Sequence, residues 1–91
     1  TMDEILSTVK KALRFTHDAL DDDIKQNITA ARDDMERAGV SSDESDSELY
    51  TQCVIFYCKW IYNFIDKGDD YLKAYERLRD ALSLDSKYRS G

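Results

Sequence analysis

Apolar residues recur along this chain at three- and four-residue intervals, the period of a helix with one buried face. Ile5, Leu6, Val9 and Leu13 share a face, which predicts a first helix over Asp3 to Arg14. Its acids Asp3 and Glu4 open it and its bases Lys10, Lys11 and Arg14 close it, as the helix dipole favours. Phe15 to Asp18 reads as a joint, with Thr16 or Asp18 as the cap of the next helix. The second helix has the most regular seam, Leu20, Ile24, Ile28, Ala31, Met35 and Ala38. Asp21, Asp22 and Asp23 stand at its start, and Gly39 is the left-handed stop after it.

An acidic connection, Val40 to Ser47, leads into a third helix that Asp46 or Ser47 is placed to cap. The stretch Leu49 to Ile65 is apolar round most of its circumference; only Thr51, Gln52, Lys59 and Asn63 form a polar arc. Such a helix calls for neighbours on more than one side. Ile55 and Tyr62 project from the otherwise polar arc and are candidates for contact with another chain, while Trp60, central in the apolar arc, is expected in the core between the second, third and fourth helices. A membrane span does not fit, because Gln52, Lys59 and Asn63 interrupt a run shorter than the ~20 residues required. The third helix is expected to run to Gly68, where Asp69 or Asp70 starts a fourth. That last helix buries Leu72, Tyr75, Leu78 and Leu82 and exposes Lys73, Arg77 and Arg79.

These elements define an all-α fold: a small bundle of about four helices over residues 2–82, followed by an extended C-terminal tail over 83–91. Leu84 and Tyr88 are apolar side chains that a purely solvated tail does not need, with Lys87 and Arg89 beside them. Residues 84 to 89 are therefore expected to form a contact arm whose removal leaves the monomer folded. The candidate oligomer interface is Ile55, Tyr62, Leu84, Lys87, Tyr88 and Arg89.

Charge narrows the function. The formal balance is −6, and residues 1 to 70 carry 16 acids against 8 bases, so a free duplex or an anionic membrane is a poor partner for most of the surface. Only the fourth helix, with Lys73, Arg77 and Arg79, has the makings of a nucleic-acid contact, and Glu76 and Asp80 offset it. Ninety-one residues form a single domain that buries a modest share of its surface, so self-association is expected to add burial. No basic leader precedes the first helix, which is the pattern of a product made in the cytoplasm.

Reactive chemistry is sparse, and no catalytic, cofactor or metal site is predicted. His17, the only histidine, has no nucleophile in a recognisable motif and reads as a turn residue. Asp21 to Asp23 lack the alternating ligands and glycine of a calcium loop, and so does the acidic segment Asp43 to Glu48. With glycines only at 39, 68 and 91, no phosphate-binding loop is present. Cys53 and Cys58 fall about 140° apart on one helix, so they cannot act as a pair and read as reduced core residues.

Three blocks, VKKALRF at 9–15, DDDIKQNITAARDDMERAGV at 21–40 and YERLRDALSLDSKYR at 75–89, resemble the small head–tail connector proteins of tailed bacteriophages, also called phage DNA-packaging proteins. The resemblance covers nearly the whole chain, and the closing block is its most specific part. It implies a helical structural adaptor without catalysis. Copies would form a ring of about twelve to match the portal protein. The ring would extend the DNA channel and receive a tail or stopper protein, with the product residing in the virion at the head–tail junction. DNA would pass through without sequence-specific binding. The acidic connection at 40–47 is short where relatives carry a longer insertion, so no loop contact is carried over. A small helical regulator of phage or bacterial origin remains the alternative, and an enzyme or DNA-binding protein a more distant one.

Overall fold

A computed structural model describes residues 2–45 and 47–89, except for the side chain of Glu44. Four helices form: α1 (Met2–Leu13), α2 (Asp21–Arg37), α3 (Glu48–Ile61) and α4 (Gly68–Leu84). Short 3-10 turns lie at Ser42–Glu44 and Phe64–Asp66. No strand is present among the described residues; the one β-type contact is an isolated antiparallel bridge between Val40 and Arg89.

The helices run up, down, up and down. Asn27 of α2 meets Tyr62 at the far end of α3, so those two helices are antiparallel. Phe56 faces Tyr71 and Cys53 lies by Tyr75, which makes α3 and α4 an antiparallel hairpin. The apolar girth of α3 thereby finds its use inside one chain: it contacts α1, α2 and α4. The buried set matches the predicted seams closely. Ile5, Leu6, Val9 and Leu13 come from α1, Ile24, Ile28, Ala31 and Met35 from α2, and Tyr50, Cys53, Val54, Ile55 and Cys58 from α3. Tyr75 and Leu82 come from α4, where Leu72 and Leu78, also expected to be buried, are half-buried, and Val40 and Tyr88 complete the set. The accessible surface, 5631 Å², is close to the roughly 5,500 Å² expected of a monomer of 10.6 kDa, so the fold closes its core without help from a second copy.

Both of the first two helices end in the same hydrogen-bond pattern. Gly39 takes a φ of +98°, its N–H donates to Glu36 O, and Val40 N–H donates to Met35 O at 2.9 Å. At the end of α1 the left-handed residue is Arg14, with φ 60°, so α1 closes at Leu13 rather than including Arg14. The expected side-chain cap of α2 by Thr16 or Asp18 is not made. Leu20 stands at the cap position, and the Asp18 carboxylate instead accepts from Lys10 Nζ at 2.8 Å, a charged partner that outcompetes a backbone N–H. At α3 the expectation holds for Ser47, whose hydroxyl accepts from Tyr50 N–H at 3.1 Å; Asp46, the other candidate cap, lies outside the described residues.

The largest departure from the sequence pattern is the end of α3. Periodicity runs on to Ile65, yet the helix stops at Ile61, because Asn63, Ile65 and Asp66 all adopt left-handed backbone with φ between 47° and 59°. Asn63 tolerates that conformation, but a β-branched residue such as Ile65 does so at a cost. Gly68 opens α4 instead of preceding it, and Asp69 and Asp70 occupy its first turn.

The C-terminus also differs from an arm. α4 continues to Leu84, and residues 85–89 turn back so that Tyr88 O accepts from Ser41 N–H. Tyr88, expected within a contact arm, is 5% exposed and joins the core of its own chain.

Candidate interaction surface

A groove of about 400 Å³ lies where α2, α3 and α4 converge. Its apolar lining is Tyr57 and Trp60 from α3, Leu72 and Tyr75 from α4, and Ala30 from α2. Trp60 was expected in the core and is found at this groove, only part-buried, edge-on to Tyr57 at 5.3 Å. Position along the helix gives the reason: Trp60 points the same way round α3 as the fully buried Cys53, within about 20°, but stands two turns further on at the end of α3, where the seam with α4 opens into the groove.

The wall of the groove is held by a polar network. The Tyr75 hydroxyl donates to Asp34 Oδ2 at 2.6 Å, and Arg79 donates to the same oxygen at 2.9 Å and to Asp80 at 3.2 Å. Burial acts to raise the Asp34 carboxyl, but those hydrogen bonds and the Arg79 charge outweigh it and hold Asp34 below the ordinary carboxylate range. Tyr75 is pushed up by burial and by its bond to Asp34. Arg79, expected to be solvated, is thus a tie between α2 and α4, with its cation 5.5 Å from the Tyr75 ring. Asp33, Glu76 and Arg37 complete the rim.

Exposed large apolar side chains gather at the two ends of the α3–α4 hairpin. Ile61 and Ile65, 40% and 59% exposed, flank the left-handed corner; Leu49 and Leu84, 49% and 80% exposed, sit at the opposite end. The corner itself is stiff. Asn63 Oδ1 accepts from Gly68 N–H at 2.9 Å, its amide donates to Asp66, and Lys59 lies about 5 Å from the rings of both Phe64 and Tyr71.

The six residues singled out as interface candidates fall into two groups. Ile55 is 7% exposed and shares a shallow cleft with Thr8 of α1. Tyr62 donates its hydroxyl to Asp23, accepts from Asn27 at 3.0 Å, and meets the edge of Phe15, so it ties α3 to α2 and to the α1–α2 joint. Ile55 and Tyr88 are thus covered by their own chain, and Tyr62 is half-buried against it. Leu84, Lys87 and Arg89 remain on the surface at the far end of α4. Sequence reasoning missed Leu49, Ile61 and Ile65, because it assigned the whole apolar arc of α3 to burial.

Neither cysteine offers chemistry at the surface. Burial pushes the Cys53 and Cys58 thiols up to about 12. Among the described residues no group of three or more metal-ligating side chains converges. No helix among the described residues is long and apolar enough to cross a membrane.

Comparison with protein families settles the relationship: residues 5–89 match the family described as phage connector protein, a span that takes in nearly all of the four helices and the turned-back end. The chain belongs to the phage connector family. No curated protein and no solved structure matches it. As a connector it is a structural, virion-associated protein that works in association with other phage head and tail proteins. The groove and the two hairpin ends expose apolar side chains of this connector.

Proposed function

We propose that this connector is the head–tail adaptor of a tailed phage or prophage. Copies form a ring of about twelve below the portal protein, extend the DNA channel, and receive a tail or stopper protein beneath. The observation that carries the reading is the family match over residues 5–89, which spans every residue of the buried core. Two features of the chain support it. A closed ring needs a heterologous contact in which one patch meets a different patch, and the hairpin exposes different apolar side chains at its two ends. The net charge of −6 also suits a wall past which DNA slides, since carboxylates repel phosphates.

Native mass spectrometry and light scattering across a concentration series, with and without a portal, test the reading. Rings of about a dozen copies, alone or on the portal, are the expected result. A monomer at every concentration that also ignores the portal overturns it and favours a small helical regulator.

A further inference from the structure

We propose that the groove between α2, α3 and α4 is the seat for the C-terminal end of α4 from a second copy of this chain, with Leu84 of one subunit docking against Trp60 and Leu72 of the next. This rests on the ring reading above and assigns the contact that would build it.

Side-chain chemistry marks the groove as a docking site. Trp, Tyr and Arg dominate the energetics of protein contacts, and Trp60, Tyr57, Tyr75, Arg37 and Arg79 line this one concavity. Trp60 is the clearest case, since a tryptophan left part-buried at a groove keeps apolar surface available for a partner. The Asp34, Tyr75 and Arg79 bonds fix the wall behind it, so the site is formed before anything binds.

The occupant follows from what else the chain exposes. Leu84 is the most exposed of its large apolar side chains, at 80%. It stands at the end of a helix, and that end is anchored because Tyr88 is buried and Arg89 bridges Val40. Leu84 is thus presented on a rigid element and gives up little conformational freedom on docking. It cannot reach the seat in its own groove: on its own helix it lies twelve residues beyond Leu72, about 18 Å along the axis, and five beyond Arg79, the last groove residue of α4. A knob and a pocket displaced along one subunit join head to tail, the arrangement that closes into a ring.

Charge favours the same pairing. The end of the chain brings Lys87 and Arg89 beside Leu84, while the groove lining holds three acids, Asp33, Asp34 and Glu76, against two bases. Arg79 is already engaged by Asp34 and Asp80, which leaves Asp33 and Glu76 on the rim to face the incoming cations.

Directed cross-linking of the full chain tests the contact. A variant carrying Leu84→Cys with Leu72→Cys is oxidised mildly and resolved without reductant, beside a control carrying Leu84→Cys with Ser7→Cys, an exposed α1 position. Background from Cys53 and Cys58 is low because both thiols are buried. The expected result is a covalent ladder of dimers and higher oligomers from the first variant, about tenfold above the control. Leu84→Asp, at an exposed position that the fold tolerates, should weaken assembly about tenfold or more without changing the melt. Rings by native mass spectrometry with no ladder above the control, or with Leu84→Asp assembling normally, overturn this contact while leaving the ring reading intact. Cross-linking of Leu84→Cys to the portal in place of a second copy also overturns it. Absence of any assembled species, with or without a portal, overturns both.

Discussion

Gly68→Ala is the substitution whose sign most sharply separates helical propensity from tertiary packing. Gly68 lies in the first turn of α4, where replacing glycine by alanine in an unobstructed helix stabilises by up to about 1 kcal/mol. The surroundings reverse this. A Cβ built on Gly68 meets Asn63 Oδ1 at 2.7 Å, Trp60 O at 3.1 Å and Asn63 Cα at 3.3 Å. The first of these atoms is a side-chain end, but it is not free to swing away. It accepts the Gly68 N–H at 2.9 Å, and its amide is bonded to Asp66. Moving it gives up a hydrogen bond worth about 1 kcal/mol at a corner whose left-handed residues already carry strain. The other two atoms are backbone of the α3 end and can yield only by opening the hairpin, an overpacking cost of about 1 to 3 kcal/mol. Subtracting the helical gain leaves a net destabilisation of about 1 to 3 kcal/mol, or roughly 4 to 24 °C in Tm for a domain of this size. Urea and thermal melts of Gly68→Ala against the parent read it directly. A variant as stable as the parent, or more so, would refute the reasoning and show that the corner can relax.

Three further outcomes are expected. Tyr75→Phe should lose about 1 kcal/mol in a urea melt, and Tyr75→Phe with Asp34→Asn should lose less than the sum of the two single losses, since Asp34→Asn alone gives up both the Tyr75 bond and the Arg79 charge pair; Tyr75→Ala should lose about 3 to 5 kcal/mol by opening the core, and strictly additive losses from the first two would contradict a shared hydrogen bond. Deleting residues 85–91 removes the Tyr88 ring and the bridge to Val40 and should lower Tm by about 10 °C or more, so a truncated chain that melts within a few degrees of the parent would restore the free-arm reading of the tail. The third concerns alkali: Cys53 and Cys58 are raised from 9.0 to about 12, and Tyr62 from 10.0 to about 12, so the neutral forms are the ones the fold stabilises. Their contribution is complete below about pH 9 and is lost as pH rises toward 12, so urea midpoints should be flat through neutrality and fall steeply above pH 9; both thiols should also resist alkylation until the chain unfolds.

Amphipathic spacing was enough to define the helices, their order and most of the core. Spacing is a local property, and Ile24, Ile28, Ala31 and Met35 point the same way on any helix of that register, so their burial was legible from the periodicity alone. The stops were legible where a residue type enforces them, as Gly39 does, and not where tertiary contacts do. Arg14, Asn63, Ile65 and Asp66 adopt left-handed backbone that no residue preference foretells for an arginine or an isoleucine, and the third helix therefore ends four residues short of its apolar run. Family membership was also readable, because the resemblance carried by the three quoted blocks agrees with the match over residues 5–89.

Which apolar side chains end up covered was settled by the packing of the whole chain. Periodicity assigns a residue to a face but does not say which neighbour reaches that face. With α1, α2 and α4 around α3, Ile55 is covered and Trp60 is left at a groove. The turn after Leu84 likewise folds Tyr88 inward and leaves Leu84 outside, a choice made by the hydrogen bond from Ser41 N–H to Tyr88 O across half the chain. Long-range contacts of this kind depend on the entire packing arrangement at once, and no window of sequence contains them.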